Sequence, residues 1–154
     1  MKKSKIGFTA GTFDMFHIGH LNLLKAAKER TEYLIVGVNA ADLVFSYKKK
    51  YPLIAEEQRL AIVEAIKYVD EVHVMDSLDK MDAWEKYKFD TVFIGSDYKG
   101  SERYKQEEIR LAKVGAMVDY LPYTESISST DLAKRVLDDE ANKVYFKEHL
   151  DGMK

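Results

Sequence analysis

The chain has 154 residues, 46% hydrophobic and 32% charged, with a formal net charge of −2 and no cysteine. That balance fits one folded domain with a real core, offers no basic footprint for nucleic acid, and excludes disulfides and thiolate metal sites. No apolar run reaches a membrane span, and Gly7, Thr9, Gly11, Thr12 and Asp14 interrupt the pattern too soon after the basic start for a secretory signal, so a cytoplasmic protein is expected.

Residues 5–10 open a series of short apolar segments rich in β-branched side chains, followed by 33–38 (Tyr-Leu-Ile-Val-Gly-Val), 71–75, 91–94 and a weaker one at 117–121. Their nearly continuous apolar character predicts parallel strands covered on both faces. Leu21, Leu24, Ala27 and Lys28 predict a helix over 19–30. Leu60, Ile62, Val63, Ala65 and Ile66 predict a second from about residue 55. A short helix over 83–87, one over 102–114 and one over 128–137 follow, the last with Ser128 or Ser129 as its N-cap. Val144, Phe146 and Leu150 in the charged tail predict a docked terminal helix over about 139–150. Pro52 and Pro122 fall in loops. Strands alternating with helices predict a Rossmann-like, doubly wound parallel α/β sheet of about five strands, with helices on both faces, in a single domain over 1–154.

In such a sheet, ligands sit beyond the carboxyl ends of the strands, where strand order reverses. The loop after the first strand, Gly11-Thr12-Phe13-Asp14-Met15-Phe16-His17-Ile18-Gly19-His20, runs directly into the first helix. Two imidazoles three residues apart at a helix start can converge on one anion, and Gly19 keeps the space between them open. His73 and His149 have no such setting and read as structural. The lysine run in Tyr47-Lys48-Lys49-Lys50-Tyr51 reads as a loop on the same sheet edge, where its charges can meet a triphosphate and a phosphorylated substrate. Ser128, Ser129 and Thr130 offer hydroxyls and amides at a second helix N-terminus, another phosphate cradle. Asp97, in Gly95-Ser96-Asp97-Tyr98, can hold a metal or a ribose, and Asp14 is the other metal candidate.

Gly11-Thr12-Phe13-Asp14 followed by His17-Ile18-Gly19-His20 resembles the G-x-F-D-x-x-H-x-G-H signature of the cytidylyltransferases, within the H-x-G-H nucleotidyltransferase superfamily. Tyr68-Val69-Asp70-Glu71-Val72 matches their R-Y-V-D-E-V segment after its first residue. Thr124, Glu125, Ile127, Ser128 and Thr130 fall on R-T-E-G-I-S-T. The likeness runs over about residues 5–137 and is strongest to the glycerol-3-phosphate branch, which makes CDP-glycerol for bacterial wall or capsule polymers.

The resemblance implies that Gly11, Thr12, Phe13, Asp97 and Thr124 line the nucleotide site, and that His17 and His20 meet the triphosphate and its α-phosphorus. It implies functional lysines at Lys48, which also faces the acceptor, and Lys50. Ser128, Ser129 and Thr130 would hold the β- and γ-phosphates. CTP and a small phosphorylated substrate, Mg2+ and a homodimer are implied with them; neither nucleic acid nor membrane is an expected partner. Lys67, Ser96, Tyr98, Tyr123 and Ser126 depart from the family pattern. The alternatives are adenylyl transfer from ATP and a silent nucleotide-binding protein. The first loop lacks G-x-G-x-x-G and the chain has no P-loop motif, which argues against a dehydrogenase and a P-loop NTPase.

Overall fold

The computed structural model describes residues 2–125 and 127–149. Its five strands are β1 (Ser4–Gly11), β2 (Thr31–Asn39), β3 (Glu71–Met75), β4 (Thr91–Gly95) and β5 (Met117–Leu121). They form one sheet in the order β3-β2-β1-β4-β5, and every pairing is parallel, with Phe8 opposite Ile35 and Val92. The chain builds outward from β1 to β3, then returns to β1's other side for β4. The reversal therefore lies between β1 and β4, and a crevice opens beyond their carboxyl ends.

Among the described residues seven α-helices accompany the sheet: α1 (Ile18–Glu29), α2 (Ala41–Lys48), α3 (Glu56–Glu64), α4 (Lys80–Tyr87), α5 (Glu102–Ala112), α6 (Ser129–Leu137) and α7 (Asp139–His149). The two-residue period of the strands splits their side chains between two cores. Phe8, Ile35, Val92 and Ile94 pack with Ala83 of α4 and with Tyr104 and Leu111 of α5. Leu34, Val36, Val38 and Phe93 pack with Leu24 and Ala27 of α1 and Val63 of α3. Burial on both faces explains why the strands read as apolar runs rather than alternating ones.

Three segments differ from the sequence expectation. α2 replaces the expected loop, so Tyr47 and Lys48 are helical, and Lys49 ends the helix in the left-handed region at φ 60°. Ala40, its N-cap, offers no side-chain bond, which left no capping signal to read. α4 begins three residues earlier than expected because the Asp79 carboxylate accepts from the Met81 amide at 2.9 Å. α7 occupies the stretch expected to dock as a terminal helix, but its Val144 and Phe146 stay 53% and 45% exposed. Ser126, Leu150 and the side chain of His149 lie outside the described residues. His73 sits on β3, bonded to Glu71 at 2.7 Å and stacked on Tyr87, a structural setting. Among the described residues no helix is long and apolar enough to cross a membrane.

Candidate active site

The loop from β1 to α1 takes a sharply turned path, with Phe13 and Met15 at φ 53° and 48°. Non-glycine residues rarely adopt that region, and such strain clusters at functional sites. The turn delivers His17 to the N-cap of α1, where its Nδ1 accepts from the Gly19 amide at 3.0 Å. His20 reciprocates: its Nδ1 accepts from the His17 amide at 3.2 Å. The two histidines thus form a capping box built of imidazoles. Because both Nδ1 atoms are acceptors, each neutral ring carries its proton on Nε2 and keeps that N–H to donate elsewhere.

The rings stack with centroids 3.8 Å apart and planes 26° apart. A Cβ at position 19 would stand 2.8 Å from His17 Cε1, so the glycine is needed for this stacking. Phe13, 3% exposed, sets its ring edge-on to His20 at 5.3 Å and backs the imidazole from the core side.

Burial, then the neighbouring His17, pushes the His20 pKa down to about 4, with Asp14 opposing. Burial also lowers that of His17. Both rings are therefore neutral donors near pH 7. Since the folded His20 pKa lies below its unfolded value near 6.5, the stability it supports is complete above that value. It is lost as pH falls toward 4, because the unfolded chain takes up the proton first. His20→Gln keeps an acceptor for the His17 amide and removes the titration. Denaturation at pH 7.5 and 4.5 is expected to show a smaller acid loss for this variant; equal losses would refute the linkage.

Other groups fix the site from beneath. The Asp14 carboxylate accepts from the Leu53 and Ile54 amides at 2.8 and 2.9 Å and ties the lysine segment to the histidine loop. Arg59, 1% exposed, donates to the carbonyls of Thr12 and Asn39 at 2.8 Å each and of Ile54 at 2.9 Å. The Tyr47 hydroxyl lies 3.3 Å from Thr12 Oγ1, joining α2 to the same loop. Sequence reasoning missed Arg59: it lies inside a helical pattern, and its three partners come from separate segments.

These elements enclose a cleft of about 730 Å³ over the carboxyl ends of the strands. Gly11, Thr12, Phe13, Asp14, His17, His20, Lys48, Lys50, Asp97, Thr124, Ser128, Ser129 and Thr130 all line it, so every sequence-predicted site residue converges there. Lys48 ends α2, Lys50 follows two residues on, and both are exposed. Two hydroxyls have structural work of their own. Ser128 Oγ caps α6 by accepting from the Asp131 amide at 3.0 Å, and Ser129 Oγ donates to the Asp14 carbonyl, joining α6 to the histidine loop. Thr124 Oγ1 accepts from Asn22 of α1 at 3.1 Å. Tyr98 and Tyr123 also line the cleft, whereas Lys67 does not and instead lies over the Tyr68 ring.

A further residue on the wall went unread in the sequence. Lys80, 9% exposed, opens α4 and lines the cleft from the α4–α5 side. Burial first, then Arg103, brings its pKa down to about 8. No described acid lies within ion-pair distance of it, although a buried ammonium ordinarily has a counter-charge.

The cytidylyltransferase-like family profile matches residues 8–135. Glycerol-3-phosphate cytidylyltransferase of Bacillus spizizenii is 37% identical over 127 residues, 82% of this chain and 92% of that protein. FAD synthase of Ferroglobus placidus is 40% identical over 108 residues, 70% of each chain. A lipopolysaccharide core biosynthesis protein from Thermoplasma volcanium, 26% identical, superposes with a TM-score of 0.67 over 80% of this chain and 99% of that one.

Proposed function

Since the chain belongs to the cytidylyltransferase-like family of nucleotidyltransferases, we propose that it transfers the cytidylyl group of CTP to a small phosphorylated alcohol, with glycerol 3-phosphate the first candidate. The products are then CDP-glycerol and pyrophosphate. The observation that carries this reading is the stacked histidine pair, whose Nδ1 atoms are spent on the helix cap and whose Nε2–H groups remain for a phosphate.

In this reaction an oxygen of the acceptor phosphate forms a bond to the α-phosphorus as the α–β bridging P–O bond breaks. The electron pair leaves with pyrophosphate. The acceptor phosphate is already ionised, so no general base is required, and the protein's work is alignment and charge stabilisation. His17 and His20 donate to α-phosphate oxygens that gain charge. Lys48 and Lys50 close over the phosphates from α2 and the segment after it, Lys48 on the acceptor side. Backbone amides from Ser128 to Thr130 at the start of α6 receive the β- and γ-phosphates. With the Ser129 proton given to Asp14, the amide rather than that hydroxyl does this work.

Mg2+ bound by a nucleotide keeps several waters and takes only one or two carboxylates. Asp97, exposed on the cleft wall, fits that demand, and Asp14 fits it less well with both carboxylate oxygens engaged. When bound, the ion would neutralise charge on the departing pyrophosphate. Assembly as a homodimer and a place in CDP-glycerol supply rest on the family resemblance. The second reading, adenylyl transfer from ATP, draws on the FAD synthase relative. Pyrophosphate release with CTP, ATP, UTP and GTP against a panel of phosphorylated acceptors separates the two. Turnover with CTP and glycerol 3-phosphate is expected; a preference for ATP overturns the nucleotide assignment, and no release with any pair overturns the enzyme reading.

A further inference from the structure

The α4–α5 wall of the cleft carries two cations that neither the histidine loop nor the lysine segment accounts for. Lys80 is nine-tenths buried, and its two acidic neighbours, Asp79 and Glu107, are bonded to a different cation. Asp79 Oδ1 caps α4, while its Oδ2 accepts from Arg110 at 3.1 Å; Glu107 Oε1 accepts from the same guanidinium at 3.1 Å. Arg110 therefore takes one oxygen of each carboxylate, the second Glu107 oxygen stays buried without a hydrogen bond, and Lys80, which lines the cleft, makes no ion pair among the described residues.

Arg103 lines the cleft beside it from the second position of α5 and also has no ion pair among the described residues. Its guanidinium lies 5.5 Å over the ring of Tyr104, a residue only 8% exposed. Tyr104 in turn packs against Tyr98 with centroids 5.4 Å apart. A guanidinium backed by a fixed ring loses less freedom on binding and presents its N–H edge to a planar or tetrahedral anion. Lys80 and Arg103 are near enough for the guanidinium to disfavour the ammonium. Asp79 and Glu107 offset part of that repulsion without forming an ion pair with Lys80, so an anion seated between the two cations would still be favoured by both.

We propose that Arg103 is the second jaw of an acceptor seat, holding the acceptor's phosphate as a dianion between a rim guanidinium and the buried Lys80 ammonium. The inference rests on the nucleotidyl-transfer reading and deepens it. The histidines, Lys50 and the start of α6 serve the triphosphate from one side of the crevice, and Lys48 reaches the acceptor from there. The α4–α5 wall supplies two positive charges on the other, which matches a phosphate monoester and disfavours a singly charged diester or a neutral alcohol. Arg103 is then a specificity-determining contact: it selects the acceptor's charge and does not act on the α-phosphorus.

The test uses the full chain with alanine and lysine at Arg103, assayed with CTP and glycerol 3-phosphate. Removing a charge-assisted contact is expected to raise the acceptor KM about tenfold or more in Arg103→Ala. The KM for CTP, kcat and the melting temperature should stay near wild type. Arg103→Lys should recover part of the acceptor KM, since it restores charge without the fork. As competitive inhibitors, phosphate monoesters should outbind their methyl diesters in the wild type, and less so in Arg103→Ala. Equal rises in both KM values, or no change in the acceptor KM, overturn the seat. Calorimetric titration of glycerol 3-phosphate without nucleotide keeps the two readings apart. Arg103-dependent binding in a protein that releases no pyrophosphate leaves the seat standing and removes the function. An active enzyme indifferent to Arg103 removes the seat alone.

Discussion

Alanine at either His17 or His20 is expected to lower kcat by roughly a hundredfold or more, the scale of losing one preorganised donor worth about 2.7–4 kcal/mol. The geometry adds a second, smaller consequence. Each imidazole also accepts a backbone amide in the α1 cap, so alanine should cost stability on the order of 0.5–2 kcal/mol as well. Substitutions that keep the cap separate the two roles. Asparagine at 17 can still accept the Gly19 amide, and glutamine at 20 can still accept the His17 amide, as an N-cap and its partner three residues on commonly do. Neither places a donor where the Nε2–H stands. Both variants should therefore melt close to wild type while turnover remains as low as in the alanine forms. Steady-state kinetics beside thermal melts decide the matter. Restored turnover in the cap-preserving variants would mean that the imidazoles serve the helix and not the reaction.

Those two histidines were legible in the sequence because their information is local: spacing, an intervening glycine and a strand running into a helix. The strands were legible for a similar reason, since burial on both faces leaves continuous apolar runs, as in 33–38. What escaped was non-local. α2 begins without a side-chain cap, and its lysines masked a helix as a loop. Lys80 follows an ordinary N-cap aspartate, and only the packing of α4 against α5 reveals that both neighbouring carboxylates bond Arg110 and not Lys80. Asp14 read as a metal candidate, yet its two oxygens bind amides about forty residues away, at Leu53 and Ile54. Ser129 read as a phosphate ligand, yet its hydroxyl reaches back to the histidine loop. For Asp14 and Ser129 the residue type suggested ligand chemistry, and a distant backbone group took the hydrogen bond.

Arg59 is the strongest example of such non-local bonding, and replacing it with methionine is expected to destabilise the protein by about 3 kcal/mol or more, about 1 or more for each carbonyl left unsatisfied. Its side chain is 1% exposed and bonds carbonyls from three segments: Ile54 in the loop before α3, Asn39 at the end of β2 and Thr12 in the loop after β1. Methionine fills similar volume but strands all three acceptors away from water, and unsatisfied buried groups carry their full desolvation cost. Lysine restores the charge and up to three donors without the fixed fork, so it should recover only part of the loss. The same bonds hold the loop after β1 against the end of β2. The folded fraction of Arg59→Met should therefore show a raised KM for CTP as well as a lower kcat, unlike the cap-preserving histidine variants, which lose kcat alone. Urea denaturation of wild type and both variants gives the stability difference, and kinetics at a temperature where each is folded give the rest. A methionine variant within about 1 kcal/mol of wild type would mean that water or a shifted backbone satisfies those carbonyls, leaving Arg59 a bystander to the loop that presents His17 and His20.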